Sequence, residues 1–311
     1  MALTIGQMAS VSFPKVLADK RKAHNQWSEN ALLREMERQG GIHHESLGPT
    51  IDAPLDYQSN PGTAFLATEL QPTSLTATDV VTTAQYTPAE LSVPVTWSKR
   101  TEMLNPSPNQ KISIVSQLLT NGINSHDDAI EKGLLAASAT NGFNSLVIYF
   151  PTSGQGSVGG VDSAVNTFWR HFQNTYVDDT DIEAGMTTSW NQATKGSGST
   201  HMPSLIVSDA TTQGIFEGTQ QANQRYVDTE ELKAGFKILA FKTARYVFSQ
   251  YGTTTLFMFS PKSTYLVVSK EYFRDKSETQ ELENANGYSF KIYSGLQLVT
   301  TNKSRVGIVH L

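Results

Sequence analysis

No cysteine occurs in the 311-residue sequence, which excludes disulfides, thiolate metal sites, iron–sulfur clusters and cysteine nucleophiles together. Charge is scarce as well. Asp, Glu, Lys and Arg make up 17% of the chain, against about a quarter in ordinary soluble domains, so Ser, Thr, Asn and Gln supply much of the polar surface. The 24 cations are outnumbered by 29 acids, a net charge of −5; there is no chain-wide cationic footprint for neutralising nucleic-acid phosphates. Long apolar runs are also missing: none approaches the roughly 18–20 residues of a membrane span. In "MALTIGQMASVSFPKVL" the cation follows the apolar residues, the reverse of a secretory leader, so neither a leader nor a membrane anchor is expected. What remains is a chain long enough for one large or two modest domains with proper cores.

The first 41 residues read as an arm carrying one helix. Ser28 is placed to cap it, "ENALLREMERQ" puts Leu32, Leu33 and Met36 on one side, and Gly40-Gly41 ends it. From Thr50 to Met103 the pattern is β, with "TIDAPLDYQ", "LTATDVVTTAQYT" and "AELSVPVTWSKRTEML" separated by Asn60-Pro61-Gly62 and Gln71-Pro72. Leu91, Val93, Val95 and Trp97 alternate with polar residues and Pro94, the pattern of a half-exposed edge strand. This two-stranded excursion carries little apolar mass. A lone ribbon is marginal in water, so stabilisation by a neighbouring chain is expected.

The strongest local signal follows. Ser107 as N-cap, Pro108 in the first turn and Gln110 three residues after the cap open a helix whose apolar face runs Val115, Leu118, Leu119, Ile123, Ile130 and Leu134 to about Ala137. Thirty helical residues would span about 45 Å. Gly122 inside it is expected to mark a bend. Beyond Gly142, "SLVIYF", "SLIVS" and "FKILAFKTARYVF" read as strands, "VDSAVNTFWRHF" and "DATTQGIFEGTQQANQRY" as helices, and the stretch after Gly252 as β-rich to the end.

Three arrangements invite a chemical reading. Gly154-x-Gly156-x-x-Gly159, followed by Gly160, lies after an apolar run and has acids at Asp178 and Asp179, as in a dinucleotide-binding loop. That motif needs a second parallel strand, and "QNTYVDDTD" offers a two-residue stub, so a glycine-shaped surface loop leading into a helix is favoured and no cofactor is expected. Ser125-His126-Asp127 spells a triad, but adjacent helical residues face different ways. His43-His44 with Glu45 and Asp52 has no metal-ligand spacing. No catalytic residue and no metal site are expected, and the chain reads as a non-enzyme.

The order of shapes carries more information than any one motif. "GPTIDAPLDYQSNPGTAFLATELQPTSLTATDVVTTAQYTPAELSVPVTWSKRTEMLN", "GSVGGVDSAVNTFWR", "MPSLIVSDATTQGIFE", "GFKILAFKTARYVF" and "LFMFSPKSTYLVVS" together resemble the major capsid proteins of tailed bacteriophages with the Hong Kong 97-type fold. The resemblance implies an α+β chain with an N-terminal arm (1–48), an extended β-loop (49–98), a peripheral domain with a long spine helix (99–140), an axial domain (141–252) and a return to the peripheral domain (253–311). The spine helix begins only about 107 residues in, so the arm is expected to be retained.

The function implied by the resemblance is self-assembly. The chain's main partner would be itself, in pentamers and hexamers of an icosahedral virion capsid assembled in the host cytoplasm. A portal, with possible scaffolding or decoration proteins, would join it, and the shell would enclose double-stranded DNA without reading its sequence; no membrane is implied. An encapsulin-type compartment is the nearest alternative and a nucleotide-dependent enzyme a remote one. Charge suggests where copies meet. Six acids and no Lys or Arg lie between Glu45 and Ser98, among them Asp56, Glu69, Asp79 and Glu90, while Lys20, Arg21, Lys22, Arg34 and Arg38 crowd the arm. The family's covalent chain-mail needs a lysine on the extended loop. Here the first lysine after the arm is Lys99, at the loop's base, so non-covalent shells are expected.

Overall fold

The computed structural model describes residues 30–60, 62, 63, 65, 79–104, 108–194, 202–223 and 239–311. Helix α1 (Ala31–Arg38) opens it, followed by β1 (Ile42–Glu45), β2 (Ile51–Asp56), β3 (Val81–Tyr86) and β4 (Ala89–Ser98). Helices α2 (Lys99–Leu104), α3 (Pro108–Leu134) and α4 (Leu146–Tyr149) follow, then β5 (Ser157–Val158), β6 (Val161–Asp162) and β7 (Phe172–Thr175). Next come α5 (Ile182–Thr194), β8 (Leu205–Ser208), α6 (Ala210–Asn223), β9 (Ala240–Phe241), β10 (Ala244–Phe248) and β11 (Leu256–Phe259). The chain closes with β12 (Thr264–Ser269), β13 (Asp275–Lys276), β14 (Gln280–Glu281), β15 (Gly287–Thr300) and β16 (Gly307–His310).

Two six-stranded sheets organise these elements. In the first, the 14-residue β15 is the central strand. It pairs antiparallel with all of β4, from Gly287 opposite Ser98 to Leu296 opposite Ala89. Its other edge pairs with β12, β13 and β14, and β1 adds to β12 in parallel. As expected, β4 is an edge strand that tolerates Pro94. Helix α3 lies on this sheet through Val115 and Leu119, which pack with Val95, Trp97, Phe290 and Ile292. Gly122 does not break the helix. A Cβ there would stand 2.8 Å from Val95 Cγ2, so the glycine lets helix and sheet approach. The helix stops at Leu134, three residues short of Ala137, and Ser107 lies outside the described residues.

The second sheet runs β7-β16-β11-β8-β10-β9. Strands β8 and β11 are buried along their whole length, which explains why "LIVS" and "LFMF" are unbroken apolar runs. Alternate residues serve two cores. Leu205, Val207, Phe257 and Phe259 face the main core, shared with Leu266, Val268 and Leu298 of the first sheet. Ile206 and Met258 face a second core with Met186 and Trp190 of α5 and Phe216 of α6.

Two expected elements take other forms. "SLVIYF" is helical over Leu146–Tyr149 because Ser145 caps it: its Oγ accepts the Ile148 N–H (3.2 Å) and donates to Ala136 O (2.6 Å). "VDSAVNTFWRHF" is no α-helix but a hairpin strand, a 3-10 turn at Thr167–Trp169 and the start of β7. Side chains there hold the backbone in turns: Asp162 Oδ1 accepts the Ala164 N–H (2.8 Å), and the Arg170 guanidinium donates to Ser163 O and Ala164 O. Such local bonds compete with helix. The stub in "QNTYVDDTD" continues a real strand, β7, parallel to β16.

Candidate assembly surfaces

The ribbon β2–β3 pairs from Ile51 opposite Tyr86 to Asp56 opposite Val81. Its foot does not wait for a neighbour. Ile51, Ala53, Leu55, Ala84 and Tyr86 are buried in the main core, and the Tyr86 hydroxyl donates to Thr300 O at 2.7 Å. The expectation of a ribbon poor in apolar contacts is therefore corrected at its base. At the ribbon's outer end the character changes: Val81, opposite Asp56, is exposed, as is Phe65. Met103 and Leu104 at the end of α2, and Val177 and Leu311 beyond the ends of β7 and β16, are also exposed apolar side chains.

The glycine loop proves to be a buttress for the ribbon's foot. Gly159 (φ 61°) and Gly160 (φ 77°) form the two-residue turn between β5 and β6, the positive-φ pair that tight hairpins require. Gly159 O accepts the Gln85 N–H at 2.9 Å, and a Cβ on Gly159 would lie 2.7 Å from Ala84 Cβ. Gly156 exchanges bonds with Ser163, its N–H donating to Oγ and its carbonyl accepting from it, and Gly154 (φ 72°) faces Gln173. Tyr57 stacks on Phe168 at 5.0 Å, and Trp169 Nε1 donates to Val158 O at 3.1 Å. This is strand–turn–strand with no helix behind it, so the strand–loop–helix geometry that points amides at a pyrophosphate is not formed. Gly159→Ala is expected to cost about 2–5 kcal/mol by strain plus overlap, and Gly160→Ala, which meets nothing within 4 Å, only strain of about 1–2 kcal/mol. Equal denaturation midpoints for the two variants would refute the buttress.

The charged residues singled out by sequence are only partly within view. Asp56, Asp79 and Glu90 are exposed along the ribbon and the start of β4; Lys20, Arg21, Lys22 and Glu69 lie outside the described residues. Arg34 and Arg38 stand exposed on α1. The Arg38 guanidinium grips the buried Glu35 carboxylate at 2.6 Å, and Arg245 reaches the same carboxylate at 3.0 Å. Burial would raise the Glu35 carboxyl, but hydrogen bonds from Arg38 and Gln39 and the charges of Arg245 and Arg38 hold it below the ordinary carboxylate range. Lys99, just beyond the end of β4 far from the ribbon, pairs with Glu281 and lies 5.2 Å over the Tyr288 ring.

The spelled triad takes an unexpected form. Ser125 bonds back to Asn121 O, yet His126 Nδ1 lies 3.1 Å from its neighbour Asp127, and His126 Nε2 lies 2.8 Å from Ser294 Oγ in β15. A Ser–His–Asp chain therefore exists, with its serine 168 residues away. It is built as a stitch. Ser294 and His126 are buried, Ser294 Oγ accepts the Arg274 N–H at 2.7 Å, and Arg274 holds Asp127. The Gly295 N–H, which an oxyanion at Ser294 would need, donates to Tyr272 O. His43 stacks on Tyr265 and His44 meets Phe273 edge to face, and among the described residues no group of three or more His, Asp or Glu is placed to hold a metal. No helix among them is long and apolar enough to cross a membrane.

Two buried ionisable residues carried no signal in the sequence. Glu131 of α3 accepts the Leu33 N–H and the Ser249 hydroxyl. Lys303, wholly buried, has no hydrogen-bond partner for Nζ among the described residues. Each depends on residues far away in the chain.

No protein-family model matches the chain, and no curated protein matches its sequence. Solved structures do match in shape. The cyanophage A-1(L) capsid superposes with a TM-score of 0.63 at 12% identity, over 97% of this chain and 98% of that one. The capsid of a native GTA particle gives 0.60 at 10% identity, over 93% of both chains. The SrpI encapsulin of Synechococcus elongatus gives 0.58 at 9% identity, over 100% of this chain and 96% of that one. The chain thus has an α+β fold resembling the Hong Kong 97-type shells of phage capsids and encapsulins.

Proposed function

We propose that this chain is the building block of a closed protein shell, and more particularly the major capsid protein of a tailed phage, forming pentamers and hexamers around double-stranded DNA. The observation that carries the reading is end-to-end likeness: nearly the whole chain and nearly the whole of the cyanophage capsid chain correspond. In this reading the second sheet with α5 and α6 is the axial domain, α3 is the spine, and the ribbon with its exposed Phe65 and Val81 reaches a neighbouring copy. Portal and possible scaffolding or decoration proteins complete the particle, which assembles in the host cytoplasm. The second reading, an encapsulin-type compartment, is favoured by the full-length match to the SrpI encapsulin. Electron microscopy of the expressed protein tests both: discrete closed particles are expected, and a monodisperse small oligomer would overturn them. Particles that package protein rather than nuclease-resistant DNA during infection would favour the second.

The arm's cations and the ribbon's acids are proposed to meet between copies. Each exposed pair contributes about 0–1 kcal/mol, but symmetry multiplies the contact. Converting Lys20, Arg21 and Lys22 to Glu is expected to impair assembly while leaving the subunit folded; normal shells from that triple variant would refute the contact. The shells are also proposed to be non-covalent, since Lys99 is engaged with Glu281 at the end of β4 far from the ribbon. Particles boiled in detergent should run as a single band of one chain's mass, and a ladder of covalent oligomers would contradict this.

A further inference from the structure

The sequence contains three Asn-Gly pairs, Asn121-Gly122, Asn141-Gly142 and Asn286-Gly287, and the structure treats them very differently. We propose that Asn141 is a spontaneous modification site, converting to aspartate and isoaspartate through a succinimide and thereby releasing the joint between the long helix and the ribbon. The reaction needs a backbone amide to reach the preceding carboxamide. The Gly142 nitrogen attacks Asn141 Cγ, a new N–Cγ bond forms, the Cγ–Nδ2 bond breaks and ammonia leaves. Solvent water then opens the ring at either carbonyl, so the net change is amide plus water to acid plus ammonia, with no redox partner.

Glycine presents the least hindered amide for this attack, and its surroundings decide whether the attack occurs. Gly122 lies within α3, its helix packed so closely that a Cβ would meet Val95 at 2.8 Å. Gly287 is buried, its N–H donates to Ala285 O at 2.9 Å, and a Cβ would stand 2.5 Å from Trp97 O. Asn286 O also accepts the Lys99 N–H. Asn141 and Gly142, by contrast, form the exposed tip of a turn closed by two bonds between Thr140 and Phe143 (3.0 Å each). Both tip residues have positive φ (49° and 88°), and no acceptor among the described residues takes the Gly142 N–H.

The product would be felt inside the protein. Gln297, wholly buried, donates to Gly142 O (2.9 Å) and to Thr87 O, and accepts the Asn144 N–H (3.1 Å). It therefore ties the tip of this turn to the exit of the ribbon. An isoaspartyl link inserts an extra main-chain carbon ahead of Gly142, moves its carbonyl off Gln297, and adds a negative charge to the groove that Asn141 and Glu90 both line.

The proposal does not depend on the shell reading. The folded protein, aged in mildly alkaline buffer, is digested and mapped by mass, with isoaspartyl content assayed by enzymatic methylation. Conversion at Asn141 is expected to exceed that at Asn121 and Asn286 by at least about tenfold, since the other two must await rarer opening of packed structure. Asn141→Gly, which suits the positive φ and removes the carboxamide, is expected to abolish the dominant isoaspartyl signal. Equal rates at the three sites, faster conversion at Asn121 or Asn286, or an undiminished signal in the Asn141→Gly variant would overturn the proposal.

Discussion

Replacing Lys303 by Met should stabilise the unassembled subunit by about 2–3 kcal/mol at neutral pH. The wild-type ammonium is wholly buried, and its Nζ meets no hydrogen-bond partner among the described residues. Burial pulls its pKa down to about 8, with only Asp162 acting in the opposite direction. Beside it, His171 donates through Nε2 to Pro151 O at 2.8 Å. Burial first, and the Lys303 charge second, lower its pKa to about 4, so it stays neutral. A lysine whose folded pKa lies below the unfolded value of about 10.4 destabilises the fold at and below the folded pKa. Between about pH 8 and 10.4 the unfolded chain binds the extra proton, so wild-type stability should climb across that window by about 3 kcal/mol. The Lys303→Met variant should lose the climb. Denaturant titrations at several pH values check both parts; a destabilised variant, or a flat wild-type profile over that window, would show that the ammonium is better accommodated than its surroundings indicate.

Glu131→Ala should cost about 2–4 kcal/mol. Helix α1 begins at Ala31, and Asn30 in the cap position makes no side-chain cap bond. The cap comes from another helix: Glu131 Oε2 accepts the Leu33 N–H at 3.3 Å, while Oε1 accepts the Ser249 hydroxyl at 2.6 Å. Truncation strands both donors and leaves a cavity between α1, α3 and the end of β10. Burial raises the Glu131 pKa, opposed by the bonds from Ser249 and the α1 amides. A carboxyl with a raised folded pKa contributes most at acid pH, and that contribution is lost as pH rises through the folded value. Denaturation midpoints should show the full cost, and limited proteolysis should cut first around α1. A change below about 0.5 kcal/mol, the range of an ordinary surface substitution, would mean that α1 does not depend on this cap.

Elements with a local cause were legible in the sequence. The Gly40-Gly41 stop works as a Schellman turn, with Gly41 N–H donating to Met36 O and Gly40 N–H to Glu37 O. The runs around Ile206 and Met258 are strands because both faces are covered. Where a single side-chain bond decides between helix and strand, periodicity misled. Ser145 turned a β-branched run into a helical turn, and Asp162 and Arg170 turned an amphipathic pattern into a hairpin. Charge and packing differ in how far they are legible. The charge imbalance between arm and ribbon is plain in the composition, but the packing of Gly159 on Ala84 and of Gly122 on Val95 joins distant residues and has no periodic signature. Ser294 completing a chain from His126 was hidden for the same reason.

The pairing of β4 with β15 has a mechanical consequence. The ribbon enters β4 at Ala89, and all ten residues of β4 are matched to β15 before the chain turns into α2. A pull on the ribbon along the strand axis therefore loads these rungs in shear, so that they must fail together; a peeling force would break them one at a time. With β15 anchored on its other edge by β12, β13 and β14, tension arriving at the exposed end of the ribbon is spread across the first sheet as a whole.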